Sequence, residues 1–145
     1  DDILIYCHGK GVRQHTAASE AVRRWSEAMY QTVVFNHQRV TEKLAAGYRN
    51  VHSFRTFGTR PLSPINRWHP SGTYFAVRAK HLSGKPVKVR YGGVEAWCGD
   101  HFKASESWCE FFDNSMFTTL YDHKASTEQV APALVEWNRL QRYER

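Results

Sequence analysis

Residues 75–91 alternate between apolar and cationic side chains, and this alternation constrains the fold more than any other part of the chain. The apolar members are Phe75, Val77, Ala79, Val87, Val89 and Tyr91, and the cationic members are Arg78, Lys80, Lys88 and Arg90. Because successive side chains of a strand point to opposite faces, the pattern predicts a β-hairpin that turns at 83–86 and has one cationic face. Like charges that face each other across strands repel. We therefore expect an acidic neighbour or a bound polyanion to neutralise this face.

The overall charge also favours anionic partners. The 145 residues include 20 Lys and Arg against 14 Asp and Glu, which gives a net charge of +6. A net positive charge bears on association with phosphate, RNA, anionic lipid or acidic protein, and it says nothing about the fold. The length predicts a single domain over 1–145. Aromatic residues make up 14% of the chain, and the Trp and Tyr among them are enriched at binding hot spots.

The cysteine usage predicts a reducing compartment. The three cysteines, Cys7, Cys98 and Cys109, are an odd number without the spacing of a disulfide framework. No apolar run reaches the length needed to span a bilayer, and no signal-peptide pattern is present. The sequence begins Asp1-Asp2-Ile3 without an initiator Met. We expect a removed leader and a location in the mitochondrial matrix, with the cytoplasm as the alternative.

Local patterns predict the order strand, helices, sheet, helix. A short strand over Ile3–Cys7 precedes a helix with one apolar face, and a second helix begins at an Asn36 cap and ends at Gly47; one helix over 17–46 is the alternative. Further predicted strands cover 51–57, 73–82, 87–91, 94–98, 108–113 and 115–122, with a Pro-rich loop at 58–72. The last helix opens at Ser126 with a capping box. This order predicts an α+β fold, with N-terminal helices packed on a mostly antiparallel sheet and a C-terminal helix.

Two more segments combine cations with aromatic residues. The Pro-rich loop carries Arg67 and Trp68, which we predict to anchor a neighbouring chain. Arg139, Arg142 and Arg145 recur at every third position near the end of the last helix, and this stripe would enlarge the surface that contacts the partner. Together with the hairpin cations, these residues predict a non-catalytic, structural subunit of a multiprotein complex. The expected setting is a mitochondrial ribosome or a respiratory or ATP-synthase complex, with RNA-binding or protein–protein contacts.

One enzyme alternative depends on the strand 72–77. The segment Gly72-Thr73-Tyr74-Phe75-Ala76-Val77 is similar to the NAD-binding strand of ADP-ribosyltransferases of the poly-ADP-ribose polymerase kind. The resemblance implies that Tyr74 stacks on nicotinamide. Phe57-Gly58-Thr59 stands where the family has His-Gly-Thr, so the histidine is missing, and Glu128 is the candidate distal glutamate.

A second enzyme alternative depends on Cys7. The segment Cys7-His8-Gly9-Lys10-Gly11-Val12-Arg13 follows an apolar strand and resembles the anion-cradling loop of rhodaneses and cysteine phosphatases. Gly92-Gly93-Val94-Glu95-Ala96-Trp97 resembles the segment that closes a rhodanese domain. The resemblance implies sulfur transfer by Cys7. Only six residues precede this cysteine, whereas the family places most of its sheet before it.

The remaining titratable residues do not form a known motif. Cys98, His101 and Cys109, with His123 or Asp113, are the set with ligand types suited to zinc, but Cys-x2-His-x7-Cys is not a standard zinc spacing. The other histidines are scattered, and the chain has no P-loop, nucleophile elbow or HExxH motif. We therefore predict neither a metal nor a cofactor.

Overall fold

The computed structural model describes residues 2–7, 18–58, 68–88, 93–115 and 126–143. Its strands are β1 (Ile3–Tyr6), β2 (Asn50–His52), β3 (Arg55–Phe57), β4 (Trp68–Pro70), β5 (Phe75–Arg78), β6 (Ser107–Cys109) and β7 (Asp113–Ser115). Its α-helices are α1 (Ala18–Met29), α2 (His37–Ala45), α3 (Gly93–His101) and α4 (Ala131–Tyr143). Two π-helical segments (Tyr30–Phe35, Ser126–Val130) and two 3₁₀ turns (Ala79–His81, Ala104–Glu106) adjoin them. The predicted α+β class is confirmed.

The two N-terminal helices follow their sequence signals. Val22, Trp25 and Met29 of α1 are buried along one face, as the helical spacing predicts. The side chain of Asn36 accepts a hydrogen bond from the Arg39 amide at 3.3 Å and begins α2. Asn36 leaves the helical conformation with φ −95° and ψ 58°, so the alternative of one continuous helix is wrong.

The strands form two mixed sheets. The first has the order β1-β5-β2-β6, in which β5 is antiparallel to both neighbours and β2 is parallel to β6. The second has the order β4-β3-β7, with β3 antiparallel to β4 and parallel to β7. The predicted strand over 51–57 is therefore two strands in different sheets. The chain crosses between them at Ser53 and Phe54, and the Phe54 ring is buried in the core.

Apolar residues pack in two clusters. One contains residues from α1, α2 and the sheet, with Val130 beside α4: Trp25, Ala28, Met29, Val33, Val40, Leu44, Val51, Phe54, Tyr74, Ala76 and Val130. The other lies between α3 and the first sheet and contains Trp68, Phe75, Val77, Trp97, Cys98 and Phe102. Neighbouring residues of β5 point to opposite clusters, as strand geometry requires. The central strand β5 therefore connects both clusters.

The predicted β-hairpin is wrong in the part that the structure describes. Strand β5 ends at Arg78, and a 3₁₀ turn and a second turn centred on Gly84 follow. Val87 and Lys88 are not in a strand, and Arg90 lies outside the described residues. The reason is non-local, because β1 and β2 occupy both sides of β5. No position beside β5 remains for a strand that returns from residue 87.

Three further local predictions need correction. Residues 94–98 are the centre of helix α3 and not a strand. The predicted loop contains β4 at its end, and the last helix begins with a π-helical turn in which Ser126 Oγ is buried without a hydrogen bond in the described structure. The predicted capping box at Ser126 therefore does not form. Most of the predicted strand over 115–122 falls outside the described residues.

Candidate anion-binding surface

Five basic residues lie at one end of the first sheet, just before β2, at the end of β5 and in the turns after β5. We call them the cationic cluster: Arg49, Arg78, Lys80, His81 and Lys85. The register pairs Asn50 of β2 with Val77 of β5, so Arg49 and Arg78 adjoin the same end of these strands. The 3₁₀ turn then places Lys80 and His81 immediately after β5. Topology therefore joins residues that are more than 30 positions apart in the sequence.

The histidine at the centre of the cluster is held by Arg49. Arg49 Nη1 lies 3.2 Å from His81 Nδ1. A guanidinium only donates hydrogen bonds, so Nδ1 is the acceptor and the His81 ring is neutral. Burial lowers the pKa of His81, and the positive charges of Arg49, Lys80, Lys85 and Arg78 lower it further. The imidazole thus lies in a positive electrostatic potential to which four side chains contribute.

A buried ring supports the other side of the cluster. The Lys85 amide donates to the Leu82 carbonyl at 3.1 Å, which folds the chain back toward His81. Lys85 Nζ lies 5.7 Å from the centre of the Phe102 ring, and the His81 ring meets the same phenyl ring edge-on at 6.4 Å. Phe102 is itself buried. Lys85 and His81 therefore rest on a buried apolar ring, and Lys80 and Arg49 are exposed to solvent.

Glu106 borders the cluster without closing it. Its Oε1 atom lies 3.9 Å from Arg49 Nε, at the far limit of an ion pair, and its Oε2 accepts from the Lys103 amide at 2.8 Å. Both Arg49 and Glu106 have exposed side chains, where solvent screening leaves such pairs weak. The arrangement can hold an anion against several donors at once, because arginine and lysine form charge-assisted hydrogen bonds with phosphate and carboxylate.

The residues predicted from sequence to bind a partner do not all come together. Arg78 and Lys80 belong to the cationic cluster. Lys88 does not, since its Nζ lies 2.9 Å from Asp100 Oδ2, and the Asp100 side chain is 2% exposed. The chain therefore neutralises one hairpin cation with its own carboxylate.

The structure also supports fewer of the contact residues that were predicted on α4 and in the loop 58–72. Arg139 donates two hydrogen bonds, of 2.8 and 2.6 Å, to Glu136 on its own helix. Trp68 is a core residue with 1% exposure, and its indole N–H donates to the Phe102 carbonyl at 2.9 Å, so its ring is not presented to a neighbouring chain. Arg67, Arg90 and Arg145 lie outside the described residues, as does the side chain of Arg142.

The geometry around Tyr74 does not present its ring for stacking. Tyr74 is 1% exposed in the core and meets the Tyr30 ring edge-on at 5.2 Å. Burial raises the pKa of its phenol, and a hydrogen bond with Tyr30 raises it further. Phe57, from the other half of the ADP-ribosyltransferase resemblance, belongs to the second sheet, whereas β5 lies in the first. A nicotinamide ring would have to displace core residues in order to reach Tyr74.

The cysteines have different surroundings. Cys7 is exposed at the end of β1, and the rest of its predicted anion loop lies outside the described residues. Burial raises the pKa of the Cys98 thiol. Burial and the nearby Asp113 charge raise the pKa of Cys109 to about 12. Zinc binds thiolates, so both buried thiols are poor ligands in this environment. Within the ranges that the structure describes, no three His, Cys, Asp or Glu residues are grouped to hold a metal.

Sequence reasoning missed Arg49, His81 and Lys85 as members of one site. Arg49 follows the end of α2 by a few residues, and no local pattern indicates that β2 will pair beside β5. The sequence does indicate that Lys85 lies in a turn, because it belongs to a Ser-Gly-Lys-Pro segment directly after the predicted strand. Its role nonetheless depends on Phe102, which belongs to a distant segment.

Comparison with known proteins gives no family: no family model matches the chain, and neither a curated protein nor a solved structure shows significant similarity to it. Among the described helices, none combines the length and the apolar character that crossing a membrane requires.

Proposed function

We propose that this chain is a non-catalytic accessory subunit that binds a polyanionic partner through the cationic cluster. The observation that carries the proposal is geometric: Arg49 lies 3.2 Å from His81, Lys85 and His81 pack against the same Phe102 ring, and Arg78 and Lys80 adjoin His81 at the end of β5. A local excess of basic side chains gives a positive potential that attracts an anion. The partner would be the phosphate backbone of an RNA or an acidic segment of another protein.

The net charge of +6 supports this function at longer range. A positive field raises the rate of encounter with anions, and the effect falls as the salt concentration rises. The mitochondrial setting, in a ribosome or in a respiratory or ATP-synthase complex, belongs to the same proposal. Its support is the composition, with a basic chain and cysteines that lack a disulfide spacing.

The test is a binding titration with two defined probes. Fluorescent poly-uridine RNA and poly-glutamate are titrated with the 145-residue chain, and anisotropy is followed between 50 and about 200 mM salt. If four cations contact RNA, the logarithm of the association constant falls with the logarithm of salt with a slope of roughly −3. Tight binding of poly-glutamate alone identifies an acidic protein as the partner.

A charge-matched pair of variants locates the surface. Lys80→Glu with Lys85→Glu reverses two cluster charges, and we expect an affinity at least ten-fold weaker. Arg23→Glu with Arg139→Glu makes the same change in net charge on α1 and α4, where both arginines contact glutamates of their own helix. This control should retain most of the affinity. Equal losses in the two variants, or no binding of either probe at about 150 mM salt, would contradict the proposal.

A further inference from the structure

Strand β1 lies at an edge of the first sheet and carries exposed apolar side chains on both faces. In the described residues, β5 is the neighbour of β1 on one side, and no strand pairs with its other side. Leu4 is 43% exposed and Ile5 is 37% exposed. Because neighbouring side chains of a strand alternate, these two residues point to opposite faces. Both apolar layers of the sheet therefore extend to this edge without being fully covered.

The hydrogen-bond pattern shows which backbone groups face the open side. The Ala79 amide donates to the Asp2 carbonyl at 2.8 Å, and the register pairs Ile3 with Arg78 and Leu4 with Val77. In an antiparallel ladder, hydrogen-bonded and non-bonded pairs alternate. Leu4 and Tyr6 therefore bond to β5. The N–H and C=O groups of Ile3 and Ile5 point away from the sheet.

This edge lacks the usual protection against strand addition. Natural edge strands are shielded by lysines, prolines, bulges or inward-facing charges, whereas Ile3-Leu4-Ile5-Tyr6-Cys7 contains neither a charge nor a proline. The edge strand β1 therefore presents hydrogen-bond donors and acceptors in an apolar setting.

We propose that β1 pairs in antiparallel fashion with β1 of a second copy of this chain, which joins the two four-stranded sheets into one of eight strands. A strand added here must be apolar on both faces in order to continue both layers. Among the described strands, β1 itself fits, because β2, β3, β5, β6 and β7 each include a polar or charged side chain and β4 includes His69 and Pro70.

The two-fold axis restricts the register without fixing it, and the pairing centred on Ile5 is the one that we propose. The two-fold axis is perpendicular to the sheet, so two residues that face each other across the interface lie on the same face of the sheet. Their residue numbers therefore sum to an even value. Pairing Ile5 with Ile5 of the second copy uses the open groups of Ile5, and it sets Ile3 against Cys7 and Leu4 against Tyr6. All of these pairs are uncharged. In addition, the antiparallel arrangement separates the two Arg78 residues by roughly 20 Å, given strand spacings of about 4.8 Å and rises of about 3.4 Å. That separation exceeds the screening length of about 8 Å at physiological salt.

The assembly is tested by sedimentation velocity of the 145-residue chain at about 150 mM salt, over micromolar to hundred-micromolar concentrations. We expect a reversible dimer. Ile5→Lys introduces a charge at the centre of the pair and should give a monomer at every concentration. Val135→Lys makes the same change at an exposed position of α4 and should leave the dimer intact. A monomeric parent chain, or a dimer that survives Ile5→Lys, would overturn the proposal.

A cross-linking experiment tests the register even if Ile5→Lys folds poorly. In a Cys7→Ser background, Ile5→Cys places two thiols on a facing pair with Cα atoms about 5.5 Å apart, within the range that a disulfide bridges. Mild oxidation should convert this variant to covalent dimers. The Leu4→Cys control sets its two thiols on diagonal positions more than about 7 Å apart and should cross-link much more slowly. Faster cross-linking at position 4 than at position 5 would refute this pairing.

Discussion

The indole N–H of Trp137 donates a 2.9 Å hydrogen bond to Oε1 of Glu110, which connects helix α4 to the end of β6. The Glu110 side chain is only 3% exposed. Its two oxygens also accept from Arg39 Nε and from the Trp108 indole N–H, both at 2.5 Å. One carboxylate therefore ties together α2, β6 and α4. Since buried carboxylates are stable when every oxygen is hydrogen-bonded, this contact fixes how the C-terminal helix docks.

We expect Glu110→Ala to lower the free energy of unfolding by about 3–5 kcal/mol, because removal of one partner of a buried ion pair withdraws the acceptor from a guanidinium and two indoles. Glu110→Gln keeps the shape and one acceptor oxygen, so its loss should be smaller. Urea unfolding followed by tryptophan fluorescence measures both. Glu136→Gln, at an exposed partner of Arg139, is the control and should leave the urea midpoint unchanged. A Glu110→Ala midpoint equal to that of the control would show that the contact does not stabilise the fold.

A second buried network of polar side chains predicts that the stability of the fold is sensitive to acid. Asn50 Nδ2 donates to Ser107 Oγ at 2.8 Å, and Asn50 Oδ1 lies 2.9 Å from His52 Nδ1. An amide oxygen only accepts, so His52 Nδ1 carries the proton. His52 Nε2 is buried without a partner among the described atoms. Burial, and then the charges of Arg55 and His69, lower the pKa of His52 from 6.5 to about 3.

The sign of the pH effect follows from linkage. The unfolded chain binds a proton at His52 near pH 6.5, and the folded chain does so only near pH 3, so the stability present above pH 6.5 is lost as the pH falls between these values. The full difference corresponds to roughly 4–5 kcal/mol. Urea titrations at several pH values should show a steeper decline in the parent chain than in His52→Phe. Parallel declines would contradict a neutral, buried His52.

Local sequence signals predicted the parts of the fold that are themselves local. The apolar face of α1, the Asn36 cap and the end of α2 before Gly47 depend on neighbours within one or two turns. The sequence of helix α3 resembles a strand because most of its residues are buried: Gly93, Ala96, Trp97, Cys98, Gly99 and Asp100. A helix that is buried nearly all round has no polar face to produce a helical period, and the residues 94–98 then look like a strand.

The candidate site was predicted only in part, for a related reason. Arg78 and Lys80 were chosen for their alternation with apolar residues, and they do lie in the cationic cluster. Their predicted companions Lys88 and Arg90 depended on a hairpin, whereas β5 pairs with β1, some 70 residues earlier in the chain. Arg49 joins the cluster through the pairing of β2 with β5. Pairings between distant segments leave no trace in the spacing of residues along one strand.

The turn before Tyr74 supplies a steric test of the core. Gly72 has φ +87°, and a Cβ atom at this position would lie 2.3 Å from Met29 Sδ and 2.8 Å from Trp25 Cζ2. Gly72→Ala should destabilise the chain by about 2–4 kcal/mol, from the left-handed backbone and from overpacking. Gly84→Ala has a similar φ of +70° with no atom within 4 Å of the new Cβ, so only the backbone contribution of roughly 1–2 kcal/mol remains. Thermal melts of the two variants separate the contributions, and equal shifts would mean that the helix α1 side chains yield without cost.

The last prediction concerns the pH dependence of anion binding. His81 is neutral in the free chain because burial and four positive side chains lower its pKa. A bound anion offsets those charges and favours the protonated ring, so affinity should rise as the pH falls toward the lowered pKa of His81. Heparin is the suitable probe, since its sulfate groups stay ionised throughout this range.

Two glutamine variants distinguish His81 from the other histidines. His81→Gln removes the titrating group, and its heparin affinity should vary less with pH than that of the parent chain. His37→Gln, on the exposed surface of α2, should retain the parent profile. Affinities come from isothermal titration calorimetry between pH 5 and 8 at constant ionic strength. If His81→Gln kept the whole pH dependence, the imidazole would not face the bound anion, and the cluster would hold its ligand through Arg49 and the lysines alone.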